Sequence, residues 1–243
     1  MQKSNLRPAY YALQPGAWKD YLTLLHFPYT VWHLSYVLLG ATAAPVLYLD
    51  RMVGVMLAFF LAVGLGAHAL DEYKGRPLKT NIPDGLLLGI AVTSLAGALA
   101  IGVIASISIS PWTVPFVLFG GFIVPAYNLE WFRGRFHSDV WFAFSWGAFP
   151  ALVGYWANAQ RLDVPAFLIA AACLGLSLAQ RSLSKQARNL RRNAKAATGQ
   201  IEFQDGHVEA ISIASLLIVP EIVLKLMGFS ISALALGWLA ARL

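Results

Sequence analysis

Three segments of this 243-residue chain carry residues whose types and spacing could do chemistry. The first runs His68-Ala-Leu-Asp71-Glu72-Tyr73-Lys74-Gly75-Arg76-Pro77-Leu78-Lys79-Thr80-Asn81-Ile82-Pro83. On a helix His68, Asp71 and Glu72 fall at i, i+3 and i+4, which places them on one face. An imidazole with two carboxylates can hold a cation or a substrate headgroup, or can pair with the Lys and Arg that follow. The second segment is Tyr127-Asn128-Leu129-Glu130-Trp131-Phe132-Arg133-Gly134-Arg135-Phe136. Its arginines also serve membrane topology, whereas Asn128 is not needed for it. In the third, Arg181, Lys185, Arg188 and Arg192 recur at i, i+4, i+7 and i+11, a continuous cationic stripe on one helical face. Leu183, Ala187, Leu190 and Ala194 form the apolar face of that helix. It either stands beside an active-site mouth or lies on anionic lipid.

The elements that must position these residues are membrane spans. The chain is 58% hydrophobic and 12% charged, too apolar to cover a soluble core. Apolar stretches lie at 24–45, 52–70, 85–107, 112–127, 140–157, 164–179, 210–227 and 229–241. A span needs about 20 residues, so the fourth and eighth are short. Tight hairpins are expected at Ser110-Pro111 and Gly228. The reading is an all-α integral membrane protein of about eight transmembrane helices. Residues 1–243 form one polytopic domain, with 1–23 as an N-terminal segment and 24–243 as the helical bundle.

Fifteen of the 18 Lys and Arg, including Arg242, fall on the side of the N-terminus. Only Arg51, Arg161 and Lys225 fall on the other side. By the positive-inside rule both termini are cytoplasmic in a cell membrane. Trp112, Trp156 and Trp238 sit near span ends, as interfacial aromatics do. No secretory signal pattern is seen before the first span. A lone cysteine, Cys173, excludes an intramolecular disulfide and a thiolate metal site. His26 and His33, at i and i+7, either line a pocket or pack. Glu221 and Lys225, at i and i+4, read as a satisfied pair near the outer end.

The order of the first segment resembles the first polar motif of the UbiA superfamily of membrane prenyltransferases. That motif reads Asn-x-x-x-Asp-x-x-x-Asp at the end of the second helix, followed by Arg and a Lys-Thr-x-x-Pro loop. Asp71 falls on the central aspartate, and Arg76 and Lys79-Thr80-Asn81-Ile82-Pro83 follow it. Ala67 and Gly75 stand where the family has Asn and the last Asp. The basic, Tyr-containing segment after the fourth span and Gly147-Ala-Phe-Pro150-Ala-Leu-Val-Gly154 are similar to the family's next features. The family's second Asp-rich motif is missing, and the cationic stripe stands in its place.

The resemblance implies a cavity open to the cytoplasmic face and transfer of a prenyl group from a prenyl diphosphate to an aromatic or lipid acceptor. It implies Mg²⁺, for which Asp71 and Glu72 are the candidate ligands. On this reading His68, Asp71 and Tyr127 are catalytic. Glu72, Tyr73, Arg76, Lys79, Asn128, Arg133, Arg181, Lys185 and Arg188 bind substrate. Arg binds phosphate bidentately and Lys acts as a point charge, so Arg181, Lys185 and Arg188 are expected to replace part of the metal's work. Expected partners are a prenyl diphosphate, a hydrophobic acceptor and anionic membrane lipids, with no nucleic acid. The alternative is a catalytically degenerate chain of the same fold that binds a lipid or quinone, or serves in a membrane complex.

Overall fold

The computed structural model describes residues 6–243. After a short helix α1 (Ala17–Leu24), seven helices run back and forth between two faces. They are α2 (Phe27–Ala43), α3 (Leu49–Gly75), α4 (Asp84–Ser108), α5 (Val114–Asn128), α6 (residues 139–159), α7 (Val164–Arg192) and α8 (Ile213–Ala240). Four of them, α3, α4, α7 and α8, are long and apolar enough to cross a membrane by length and composition. The chain is thus a helical protein of membrane type.

The expected hairpin at Ser110-Pro111 is present, with a 3₁₀ turn at Pro111–Thr113 leading into α5. The one expected at Gly228 is not. Residues 210–227 and 229–241 were expected to be separate spans, but α8 runs unbroken through Gly228. A single interior glycine costs a helix only about 1 kcal/mol. Here its missing side chain also admits the Trp32 ring, 3.3 Å from where a methyl group would sit. Ala210, expected in the membrane, instead belongs to a two-stranded hairpin, β1 (Gly199–Glu202) and β2 (Val208–Ile211).

Losing one hairpin moves the C-terminus. The Arg242 guanidinium donates to the carbonyls of Ala44 and Pro45, at the end of the bundle opposite residues 6–16. Residues 6–16 and Arg242 therefore lie at opposite ends of the bundle, whereas eight spans would place them at the same end. Lys225 moves the other way and stands over the Tyr10 ring at 5.3 Å. Among the described residues, fourteen of the seventeen Lys and Arg still gather at one face, called the basic face below.

Helix α6 is the packing centre. Gly154 and Gly40 let α6 and α2 meet backbone to backbone. A methyl at Gly40 would overlap the Ala151 carbonyl oxygen, and one at Gly154 the Val37 carbonyl oxygen. Gly147 does the same against α7 at Cys173 and Ser177. Where lipid replaces water, such close backbone approach is a main source of helix association. Gly40→Ala is therefore expected to lower stability in detergent by roughly 1–3 kcal/mol, the usual cost of overpacking. A melting temperature matching the parent's would contradict that contact.

Two helices carry π-helical stretches, Phe60–Ala67 in α3 and Phe144–Ala148 in α6. Such wide turns shift the backbone ladder from i−4 to i−5 and cluster at functional positions. In each stretch an imidazole also takes a carbonyl: His68 Nδ1 donates to Gly64 O (3.1 Å) and His33 Nδ1 to Trp146 O (2.7 Å). His33 thereby pins α2 to α6 and is a packing residue.

Candidate functional site

The inner ends of α2, α3, α5 and α7 bring the chemistry-bearing residues together at the basic face. His68 is buried near the end of α3. Because a carbonyl only accepts, its Nδ1 carries the proton, and Nε2 of the neutral ring is left as an acceptor. The His68 ring stacks on His26, centroids 4.0 Å apart and planes 9° apart. His26 stands in the left-handed region (φ 45°) just before α2, a conformation that turns its ring toward α3. Its Nδ1 is hydrogen-bonded to the Tyr11 hydroxyl at 2.9 Å, and its Nε2 is buried without a partner. Burial pushes the Tyr11 hydroxyl up, so the phenol stays protonated at neutral pH.

Asp71, one helical turn from His68, makes no hydrogen bond or salt bridge among the described residues. It lies within electrostatic reach of Arg188, Arg192 and His137. Tyr11 and Tyr127 both lie within reach of Asp71 and Arg188. The Tyr127 hydroxyl is buried and unpartnered, and its ring packs on Trp146 at 5.0 Å and His137 at 4.5 Å. These groups are neighbours in one polar cluster at the basic face, called the basin below.

Helix α7 continues well past its apolar part, as the cationic stripe required, and turns that stripe inward. The stripe is then divided. Arg181 and Lys185 are both tied to Asp139, at 2.9 and 3.2 Å. Arg192 donates Nε to the Pro8 carbonyl at 3.2 Å. Arg188 has no hydrogen-bonding partner among the described residues, though Arg181 and Arg192 crowd it with like charge.

Several expected site residues have other work. The Glu72 carboxylate is fully buried and accepts from Leu78 N (2.9 Å), Thr80 N (2.8 Å) and Thr80 Oγ1 (2.9 Å). It clamps the connection between α3 and α4. Arg76 clamps the same loop through the Thr80 and Ile82 carbonyls and Asp84. Asp20, buried in α1, adds a third tie by accepting from Asn81 N at 2.9 Å. Asn128 returns its amide to Val124 O at 2.7 Å, within its own helix. Tyr73, Lys79 and Arg133 are exposed and away from the basin. Glu221, expected to pair with Lys225, instead forms a bidentate pair with Arg191 at 2.5 and 2.9 Å.

The donor set bears on the metal. With both Glu72 oxygens taken and Asp139 tied to Arg181 and Lys185, Asp71 is left as the carboxylate beside His68 without a hydrogen-bonding partner among the described residues. Among the described residues no three His, Cys, Asp or Glu side chains gather as metal ligands. One carboxylate among several guanidinium groups does not fit a resident Mg²⁺ site.

On the other side of Trp146 lies an apolar cavity of about 410 Å³ between α3, α4, α5 and α6. It extends from Asp50 and Arg51 at the opposite face down to Val63, Ile123 and Val124. Ser145, at its inner end, is buried with an unpartnered hydroxyl. Comparison with protein-family models, curated proteins and solved structures finds no match to this chain.

Proposed function

We propose that the protein is a UbiA-like intramembrane prenyltransferase that moves a prenyl group from a prenyl diphosphate to an aromatic or lipid acceptor. The observation that carries this reading is Arg188, without a hydrogen-bonding partner among the described residues, in a polar cluster that Tyr127 joins through Trp146 to the apolar cavity. An unpaired cation beside two others at a membrane interface favours an anion, and a diphosphate supplies several charge-assisted acceptors. The cavity beyond Trp146 suits a prenyl chain. By the positive-inside rule the basic face is cytoplasmic.

In the reaction the allylic C–O bond breaks and its electron pair leaves with the diphosphate. Arg188 and Arg192 neutralise that leaving group, as a metal would elsewhere. The allylic cation lies against the faces of Tyr127 and Trp146, where π-density favours positive charge. The acceptor then bonds to the allylic carbon, and its proton passes to His68 Nε2, the nitrogen that the Gly64 contact leaves free. Asp71 opposes the charge of the guanidinium groups.

The metal-free leaving-group site has a direct test in farnesyl diphosphate binding to the purified protein with EDTA or with Mg²⁺. Binding in EDTA is expected to stay within about threefold of that in Mg²⁺, less than 1 kcal/mol. Complete loss in EDTA, restored by Mg²⁺, would replace the arginine site with conventional metal chemistry. A second reading has its own support. Glu72, Arg76, Arg181 and Lys185 are all committed to internal ties, as in a chain that kept the fold and a lipid site but lost catalysis. Binding of a prenyl diphosphate or quinone without turnover, unaffected by Asp71→Asn, would favour it.

A further inference from the structure

We infer that residues 6–16 form a lid over the polar basin, and that Arg192 is the switch that opens it. The inference rests on the headgroup site proposed above. This arm contains no helix or strand, so side-chain contacts hold it in place. Ala9 and Ala12 are buried against Leu78 of the clamped α3–α4 loop. Tyr10 and Tyr11 meet the Tyr29 ring edge-on at 6.3 and 5.5 Å. Arg191 donates to the Arg7 carbonyl and Arg192 to the Pro8 carbonyl, each at 3.2 Å. The arm thus lays Tyr11 across His26, within reach of Asp71, Arg188 and Arg192. Beneath it is a small gap lined by Tyr11, Tyr29, Ser184 and Arg188.

In this position the arm and a headgroup compete for the same donors. The Pro8 carbonyl is a neutral acceptor, and a diphosphate oxygen is a charged one with a shorter, stronger bond to guanidinium. A headgroup that reaches Arg188 therefore draws Arg192 away from Pro8 and removes one of the two ties at the arm's start, while Leu13 N on Thr23 Oγ1 (3.0 Å) and Gly16 N on Asp20 Oδ1 (3.1 Å) hold its other end to α1. Arg191 stays on Glu221, whose bidentate pair needs no help from the arm. Segments held by few contacts and no backbone ladder open far below the global unfolding free energy. The Tyr11–His26 bond then breaks with the arm, which frees His26 Nδ1 for the headgroup.

The test uses the full chain carrying Cys173→Ser and Ser184→Cys, with Ala12→Cys and Leu78→Cys added to lock the arm. Maleimide labelling of the thiol at position 184 is followed peptide by peptide in mass spectrometry, with the lock oxidised or reduced. Ser184 is buried under the arm, so labelling requires opening. Oxidation is expected to slow labelling by at least about tenfold and to slow farnesyl diphosphate association to the same extent. Equal labelling rates in the two forms would overturn the lid. Slowed labelling with no diphosphate binding in either form would uphold the lid and defeat the headgroup reading. If the cysteine pair prevents folding, Tyr11→Phe in the Cys173→Ser, Ser184→Cys background gives the same information. It should label several-fold faster than that background, and an unchanged rate would overturn the lid.

Discussion

Replacing Glu72 with alanine is expected to lower unfolding free energy in detergent by about 3–5 kcal/mol, the largest stability loss of any single change considered. The carboxylate is fully buried and receives three hydrogen bonds from Leu78 and Thr80. Removing it leaves two backbone N–H groups and a hydroxyl without acceptors in a site closed to water. Each such group costs about 1–3 kcal/mol, and an emptied side-chain volume adds to it. Glu72→Gln should lose about half as much, because its amide offers one acceptor oxygen where two are used. Thermal unfolding of the purified variants measures both. Were Glu72 a substrate or metal ligand, the alanine variant would melt near the parent and lose ligand binding alone. That pattern would contradict the clamp.

Arg188→Ala should do the reverse. Binding of farnesyl diphosphate is expected to fall by about 100-fold, or about 2.7 kcal/mol. The melting temperature should hold or rise slightly, since Arg188 has no hydrogen-bonding partner among the described residues and repels Arg181 and Arg192. Arg188→Lys keeps the charge but loses the planar fork, so about tenfold weaker binding is expected. Arg181→Ala is the internal comparison. Its guanidinium is paired with Asp139 and packs over the Phe142 ring at 5.0 Å, so stability should suffer more than binding. If Arg188→Ala unfolds and Arg181→Ala binds no diphosphate, the assignment of the two arginines must be exchanged.

The contrast between those arginines shows where sequence reading ends. Helical spacing alone put His68 with Asp71, and Arg181 with Lys185, Arg188 and Arg192, because residues three and four apart share a face whatever surrounds them. Composition and charge likewise placed most of the helices and the basic face. What spacing cannot show is which member of a stripe meets a counter-charge across the bundle. Asp139 lies over forty residues from Arg181, and it decides that, among the described residues, Arg188 rather than Arg181 is without a hydrogen-bonding partner. Glu72 was read with Asp71 as an ion-binding pair, yet its neighbour in space is the loop eight residues on, whose buried amides need an acceptor. Gly228 looked like a turn because the apolar run was long enough for two spans, and Trp32 from α2 explains why the helix continues. Tyr11 is missed for a different reason: it lies in no periodic element, and only the folded arm brings it to His26, whose spacing from His33 already marks it as a pocket or packing residue.

Transfer itself remains the claim on which the rest depends. The most direct measurement incubates radiolabelled geranylgeranyl diphosphate with the purified protein in extracted membrane lipid and follows both pyrophosphate release and label in the lipid fraction. Stoichiometric release and transfer by the parent protein in EDTA are expected, with loss of both in Arg188→Ala. Bound label with no pyrophosphate released in any lipid, with or without Mg²⁺, would contradict transfer and leave a lipid-binding protein of the same fold.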